Sequence, residues 1–112
     1  MPTTAAQKPQ AAKPARLSRA RRAAMLKALA DPRRFELLER IASAQYLGCS
    51  EARAALPISA ATLSHHIKEL ETAGIISIRR EGKFHYMSLR PGVLESLAAS
   101  LTLLTSDSLN QK

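Results

Sequence analysis

The chain has 112 residues and carries 17 Lys and Arg against 9 Asp and Glu, a formal charge of +8. This length allows one small domain with tails and excludes a catalytic domain joined to a regulatory one. The excess of positive charge indicates a polyanionic partner, either nucleic acid or an acidic membrane surface. Hydrophobic residues make up 46% of the chain but aromatic residues only 4%, so we expect an aliphatic, helical core.

The sequence favours a cytoplasmic protein without a membrane partner. No apolar run approaches the roughly 18 residues that a membrane span requires, and the N-terminus has no apolar stretch typical of a signal peptide. The single cysteine, Cys49, cannot form an intrachain disulfide, which suits a reducing compartment.

Positive charge is concentrated at the N-terminus, where residues 1–22 contain six Lys and Arg and no acidic residue. Pro residues among Ala, Thr, Gln and Lys cannot bury enough apolar surface to offset the entropy of ordering. We expect a disordered basic tail over 1–16, a folded domain over 17–105 and a frayed C-terminus over 106–112. The tail either only increases solubility or is a mobile arm that contacts phosphates, and both interpretations stay open.

The first two helices are predicted on either side of Asp31-Pro32. Ser18 is a candidate N-cap for the first helix, which ends at Ala30 because the following Asp-Pro cannot continue it. Asp31 then caps the second helix, with Pro32 at its first position. The apolar face of the second helix is predicted to consist of Phe35, Leu37, Leu38 and Ile41.

A short third helix is predicted over 51–56, capped by Ser50 and preceded by a loop at 46–48. The fourth helix begins only two residues later, after 57–58. A connection this short between two helices is typical of a helix-turn-helix.

The fourth helix is predicted from its N-cap Ser59 to Ala73, with Gly74 at its C-terminal end. Its inward stripe consists of Leu63, Ile67 and Leu70. His65 is expected to face outwards, whereas His66 lies near the inward stripe and is expected to be packed.

After the fourth helix the hydrophobic period changes to two, which predicts strands. Two strands over 75–80 and 84–89 are joined by a turn at 81–83, so they form a β-hairpin. A basic hairpin directly after a helix-turn-helix is typical of a wing. Pro91-Gly92 then precedes a last helix.

The outer face of the fourth helix carries small and hydrogen-bonding side chains, which suit entry into a major groove about 12 Å wide. Cations on the hairpin would lie along an adjacent backbone or minor groove. The residues predicted to contact DNA are Ser59, Ala61, Thr62, Ser64, His65, Lys68, Arg79, Arg80, Lys83 and His85.

The last helix carries an apolar stripe larger than so small a domain is expected to cover. Either this helix folds back onto its own domain, or it pairs with a second copy through the first and last helices; we expect the homodimer. The predicted interface comprises Met25, Leu26, Leu29, Val93, Leu94, Leu97, Leu101 and Leu104.

Three segments carry a family resemblance: Ala28 to Phe35 (ALADPRRF), Ile58 to Gly74 (ISAATLSHHIKELETAG) and Arg80 to Tyr86 (REGKFHY). They resemble the ArsR/SmtB family of winged helix-turn-helix repressors over residues 20 to 104. The resemblance implies a mainly α fold of about five helices with a two-stranded wing and a homodimer joined by its first and last helices. It also implies a recognition helix from Ser59 to Ala73 and repression of transcription that an inducer relieves. For a homodimer we expect the operator to be double-stranded DNA with an inverted repeat.

The sequence departs from the metal-sensing members of that family. Those members carry paired Cys at the third helix, or Asp and His ligands on the last helix. Here Gly48 and Ser50 flank Cys49, and the last helix has neither His nor Cys. Because a thiolate site requires three or four ligands, we expect no metal, no cofactor and an inducer of a kind that the sequence does not identify.

Two alternatives to a repressor with a non-metal inducer stay open. Cys49 precedes the predicted third helix, where a thiolate is favoured, so it is either a redox switch or a half-buried residue that fills space. A non-specific architectural nucleic-acid-binding protein is the other alternative. An enzyme is not expected, because the chain has no Gly-rich phosphate loop and no catalytic partners for Cys49.

Overall fold

The computed structural model describes residues 16–110. Its elements are α1 (Arg19–Leu29), α2 (Pro32–Ala44), β1 (Leu47–Gly48), α3 (Cys49–Ala55), α4 (Ala60–Thr72), β2 (Ile76–Glu81), β3 (Phe84–Leu89) and α5 (Val93–Asn110). Five helices with a hairpin after α4 confirm the predicted winged helix-turn-helix. The predicted basic tail lies outside the described residues apart from its last residue, and the fraying of 106–112 stays a prediction, although α5 continues to Asn110.

The caps predicted for α1 and α2 are confirmed. Ser18 Oγ accepts a hydrogen bond from the amide N–H of Arg21 at 3.0 Å. Asp31 Oδ1 accepts from the amide N–H groups of Arg33 at 2.9 Å and Arg34 at 3.1 Å. The pKa of the Asp31 carboxyl is lowered, mainly by the hydrogen bond from the Arg34 amide. The hydrogen bond from the Arg33 amide lowers it further. Each cap satisfies amide donors that have no partner within the helix.

The buried face of α2 differs from the prediction at one position. Leu37, Leu38 and Ile41 are at most 4% exposed, as expected, but Phe35 is 44% exposed and Arg34 is buried instead. The spacing explains the difference, since 34, 37, 38 and 41 lie on one helical stripe and position 35 lies beside it. A charged residue is tolerated on this stripe because its guanidinium is hydrogen-bonded to the Ala28 carbonyl and to His66.

The predicted loop at 46–48 is partly a strand. Leu47 pairs with Met87 and Gly48 with Tyr86, so β1 adds an antiparallel third strand to the hairpin. The order in the sheet is β1-β3-β2. A strand of two residues is too short to show an alternating pattern in the sequence, and its pairing with β3 defines it.

The third helix begins earlier than predicted. Cys49 is its first residue and Gly48 its N-cap, so the prediction that Ser50 caps this helix is wrong. The Glu51 carboxylate accepts the amide N–H of Gly48 at 2.9 Å. A Cβ at position 48 would lie 3.1 Å from Glu51 Oε1, so glycine leaves room for this carboxylate at the helix start.

Both ends of α4 are formed as predicted. Ser59 Oγ accepts the amide N–H of Thr62 at 3.1 Å. At the other end the Gly74 N–H donates to the Glu71 carbonyl at 2.9 Å and the Ile75 N–H to the Leu70 carbonyl at 3.0 Å. These two bonds form a Schellman motif, which requires the left-handed conformation that Gly74 adopts with φ 81°. The chain therefore passes directly from α4 into the wing.

The core is aliphatic, as the composition predicts, and lies between the helices and the inner face of the sheet. Its largest fully buried side chains are Met25, Leu37, Ile41, Leu70, Ile75, Ile76 and Met87. The first half of α5 packs against this core, whereas its residues from Leu101 to Ser106 are exposed. None of the helices in the described part of the chain has the length and apolar character needed to cross a membrane.

Candidate nucleic-acid interface

The outer face of α4 presents short polar side chains to solvent. All five residues predicted there to contact DNA are exposed: Ala61, Thr62, Ser64, His65 and Lys68. On the opposite face Leu63 is 3% exposed and Leu70 is fully buried. The orientation of α4 is therefore the one that its hydrophobic period predicts, and we call α4 the recognition helix.

Two hydroxyl groups at the start of the recognition helix, those of Ser59 and Thr62, are hydrogen-bonded to each other. Ser59 Oγ, which accepts the Thr62 amide N–H, donates its own proton to Thr62 Oγ1 at 3.0 Å. The Thr62 hydroxyl thus already accepts one bond, and its proton is still available for a further acceptor. Both residues are exposed, so this donor faces outwards from the helix start.

The wing divides its cations between two faces. Arg79 pairs with Tyr86 and Arg80 with His85, and successive strand residues point to opposite sides of a sheet. Arg80 and His85 therefore share the face that carries Ile78, which packs against the core.

Arg79 lies on the other face of the wing and is already engaged there. Its guanidinium lies 5.1 Å from the centre of the Tyr46 ring, and its Nη2 lies 3.1 Å from Glu81 Oε2. All three side chains are exposed, so solvent screens the ion pair between Arg79 and Glu81. A contact between Arg79 and phosphate would have to compete with Glu81.

A groove separates the recognition helix from the wing. Ser64 and Lys68 line it on the helix side and His85 on the wing side. Arg53 of α3, which is exposed, lines the same groove and was not among the predicted site residues. Its charge is visible in the sequence, but its position in this groove depends on tertiary packing. Glu71, near the end of the recognition helix, gives this groove an acidic residue as well.

Comparisons with known proteins agree with this geometry. The model of a helix-turn-helix domain family matches residues 29–79. The chain is similar to the HTH-type transcriptional regulator YceK of Bacillus subtilis (strain 168), with 34% identity over 68% of this chain and 85% of that protein. It is also similar to the arsenical resistance operon repressor of Staphylococcus xylosus, with 31% identity over 74% of this chain and 80% of that protein.

The chain belongs to the ArsR family. A solved structure, the ArsR-like transcriptional regulator from Rhodococcus sp. RHA1, has the same fold, with a TM-score of 0.75 and 22% identity over 82% of this chain and 86% of that chain. The resemblance seen in the sequence is thus confirmed, and the protein is a winged helix-turn-helix regulator that binds DNA.

Cys49 is the single cysteine of the chain. The thiol is half-buried at the first position of α3, and burial raises its pKa. Desolvation of the thiol opposes the thiolate that a helix start would favour, and a redox role for Cys49 stays a prediction. Among the residues that the structure describes, no three His, Cys, Asp or Glu side chains group as metal ligands.

The predicted dimer interface of this ArsR-family chain divides into three groups. Met25 is fully buried and Leu97 is 5% exposed, both within the core of their own subunit, so they have no surface left for a partner. Leu29, Val93 and Leu94 are partly buried against the same core. The prediction of interface contacts for Met25 and Leu97 is corrected accordingly.

The third group is exposed and contains one residue that the sequence analysis missed. Leu26 is 43%, Leu101 44% and Leu104 63% exposed, and Leu103, which lies off the predicted stripe, is 59% exposed. The Arg22 guanidinium donates to Ser100 Oγ at 3.0 Å, which brings α1 beside α5.

Proposed function

We propose that this protein is a homodimeric repressor that occupies an inverted-repeat operator in double-stranded DNA. Its release signal is a stimulus other than a metal held at the third or last helix. The observation that carries the proposal is the groove between the recognition helix and the wing, where Ser64, Lys68 and His85 face one opening. The proposal includes no catalytic activity. Because its operator would be genomic DNA, we propose that it acts in the cytoplasm.

The proposed contacts divide by chemistry. Thr62, Ser64 and His65 are short or flat groups on the exposed side of the recognition helix, so we assign them to base edges in the major groove. Long cations position a protein on phosphates without reading the sequence. We assign this role to Lys68, Arg79, Arg80 and Lys83, with Ser59, Ala61 and His85 close to the backbone.

The proposed dimer rests on exposed leucines that flank the junction of α1 and α5. Leu26 lies one turn after Arg22, and Leu104 lies one turn after Ser100; the side chains of Arg22 and Ser100 are hydrogen-bonded. Fully burying a leucine contributes about 1.5–3 kcal/mol. Four leucines that are 43–63% exposed therefore favour a second copy over solvent.

The proposed release signal follows from the ligands that the chain lacks. One cysteine in each subunit cannot supply the three or four ligands of a soft-metal site. Its raised pKa also disfavours the thiolate that binds metals or reacts with oxidants. We therefore propose an inducer that is neither a metal nor an oxidant acting at Cys49.

Selection of bound sequences from a random duplex pool, combined with sedimentation of the protein, tests the proposal. We expect a dimer at micromolar concentration and a selected motif with two inverted half-sites about 10 bp apart, centre to centre. Selection without any motif would indicate an architectural protein instead. A monomer that binds one half-site would contradict the proposed assembly.

A further inference from the structure

Arg34 is a buried cation at the junction of three helices. The residue is 8% exposed and belongs to α2. Its Nε–H donates to the Ala28 carbonyl, in the last turn of α1, at 2.7 Å. Its Nη1 lies 3.3 Å from Nδ1 of His66 in the recognition helix. One side chain of α2 therefore contacts both α1 and the helix assigned to the DNA.

The contact with His66 requires a neutral imidazole. A guanidinium has only donors, so Nδ1 must accept and the proton of His66 must be on Nε2. His66 is 6% exposed, and burial lowers its pKa below the ordinary value of 6.5. Asp31 opposes this change, whereas the charges of Arg34 and His65 add to it. Within residues 16–110, these three are the charged or titratable groups that act on His66.

Protonation of His66 would replace this hydrogen bond with a repulsion. Nδ1 would become a donor and face another donor, and two cations would share a buried site. The carboxylate of Asp31 favours the protonated form, but burial outweighs it, because the pKa of His66 is lowered overall.

A displacement of His66 would reach the DNA-facing side of the helix. His65, assigned above to a base edge, precedes His66 directly, and their ring centres are 6.1 Å apart. Both side chains are attached to one rigid helix. Rotation of that helix to relieve His66 would therefore move His65 as well.

We propose that Arg34 is a positioning residue for DNA recognition, which holds the recognition helix in its binding orientation only while His66 is neutral. The proposal rests on the function proposed above. Acid should weaken sequence-specific binding, although it adds positive charge to the protein. The ratio of operator affinity to random-duplex affinity separates these two effects, because added charge strengthens both.

The test uses the full chain with His65→Asn and His85→Asn, which removes the two exposed histidines that the proposed function places at the DNA. His66 is then the only histidine of the chain. The matched variant adds His66→Asn, whose amide oxygen can accept from Arg34 but does not titrate near neutral pH. Both proteins are titrated with the selected operator and with a random duplex at about pH 7.5 and about pH 5.5, at one salt concentration.

We expect the operator-to-random ratio to fall about two- to fivefold in acid when His66 is present, since each unit of pKa difference between free and bound protein is tenfold in affinity. With His66→Asn the ratio should stay constant. Circular dichroism verifies that each protein is folded at both pH values. This check matters because a pKa lowered by folding gives stability that is present above pH 6.5 and lost as the pH falls.

Two results would overturn the proposal: a ratio that does not change with pH while His66 is present, or an equal fall in both proteins. Arg34→Lys provides an independent check at about pH 7.5, because an ammonium retains the charge but not the fork that serves two acceptors. A folded Arg34→Lys protein with an unchanged ratio would overturn it too. If this variant does not fold, the comparison of the two pH values decides. If the unsubstituted chain, which retains His65 and His85, shows no operator preference at about pH 7.5, the proposed function fails instead.

Discussion

Replacing Gly74 by alanine tests the end of the recognition helix. Gly74 and Gly92 have nearly the same positive φ, 81° and 79°, but different surroundings. A Cβ at position 74 would lie 2.6 Å from Nη2 of Arg21, whereas a Cβ at position 92 meets no atom within 4 Å. Gly92→Ala is therefore a matched control for the cost of the backbone conformation alone.

The expected cost of Gly74→Ala has two parts. Alanine in the left-handed region costs about 1–2 kcal/mol at either glycine. At position 74 the Arg21 guanidinium must also move away from the C-terminal end of α4, where a cation contributes about 0.3–1 kcal/mol. We expect Gly92→Ala to lower the free energy of unfolding by about 1–2 kcal/mol and Gly74→Ala by about 1.3–3 kcal/mol.

Urea denaturation at one fixed protein concentration measures both variants, since a dimer unfolds in a concentration-dependent way. The same pair is then measured in an Arg21→Ala background. If Arg21 causes the extra cost, the difference between the two glycine variants should disappear there. An equal cost of Gly74→Ala and Gly92→Ala with Arg21 present would refute the reasoning.

Three further predictions concern binding and assembly. His65→Ala should weaken operator binding by about 1–3 kcal/mol and relax the sequence preference at one base pair in each half-site. Lys83→Ala should weaken binding to the operator and to a random duplex alike. It should also reduce the slope of log affinity against log salt by about 0.9 for each lost phosphate contact, which is about 1.8 for the two Lys83 residues of a dimer. Anisotropy titrations over a salt series measure this, and equal losses for His65→Ala on both duplexes would exclude base contact. Leu101→Glu should convert the dimer to a monomer in sedimentation experiments. Phe35→Glu is the control, because Phe35 is equally exposed at 44% but lies outside the proposed interface, and this variant should stay dimeric. A dimer in both variants would contradict the proposed interface. Arsenite, zinc or cadmium should not release the operator at stoichiometric concentration, and release that Cys49→Ser abolishes would reveal a metal site.

Local chemistry made several elements predictable from the sequence. Ser18, Asp31 and Ser59 each supply an oxygen to amide donors two or three residues later, so helix starts follow from a few neighbouring residues. Gly74 is equally local, because only its own backbone conformation is needed to end the helix. The outward face of the recognition helix follows from its period alone.

Other features depend on partners distant in the chain. β1 exists because Leu47 and Gly48 pair with β3, about 40 residues later in the chain. Arg34 is buried because Ala28 and His66 accept its hydrogen bonds, and no local pattern favours a charged residue there. Arg53 reaches the groove only through tertiary packing, which brings α3 and the recognition helix to the same opening.

The predicted dimer interface was partly wrong for a related reason. An apolar stripe shows which face of a helix is buried but not what covers it. The stripe of α5 is divided, since Leu97 belongs to the core and Leu101 is exposed. Only the tertiary packing shows where along the helix this division occurs.

Operator spacing tests the central claim most directly, because two recognition helices in one dimer must enter major grooves on the same side of the duplex. The selected inverted repeat is compared with a duplex in which about 5 bp, half a helical turn, are inserted between its half-sites. We predict that the insertion lowers the affinity to that of a single half-site. Equal affinity for the two duplexes would show that the subunits bind independently and would contradict a dimeric repressor.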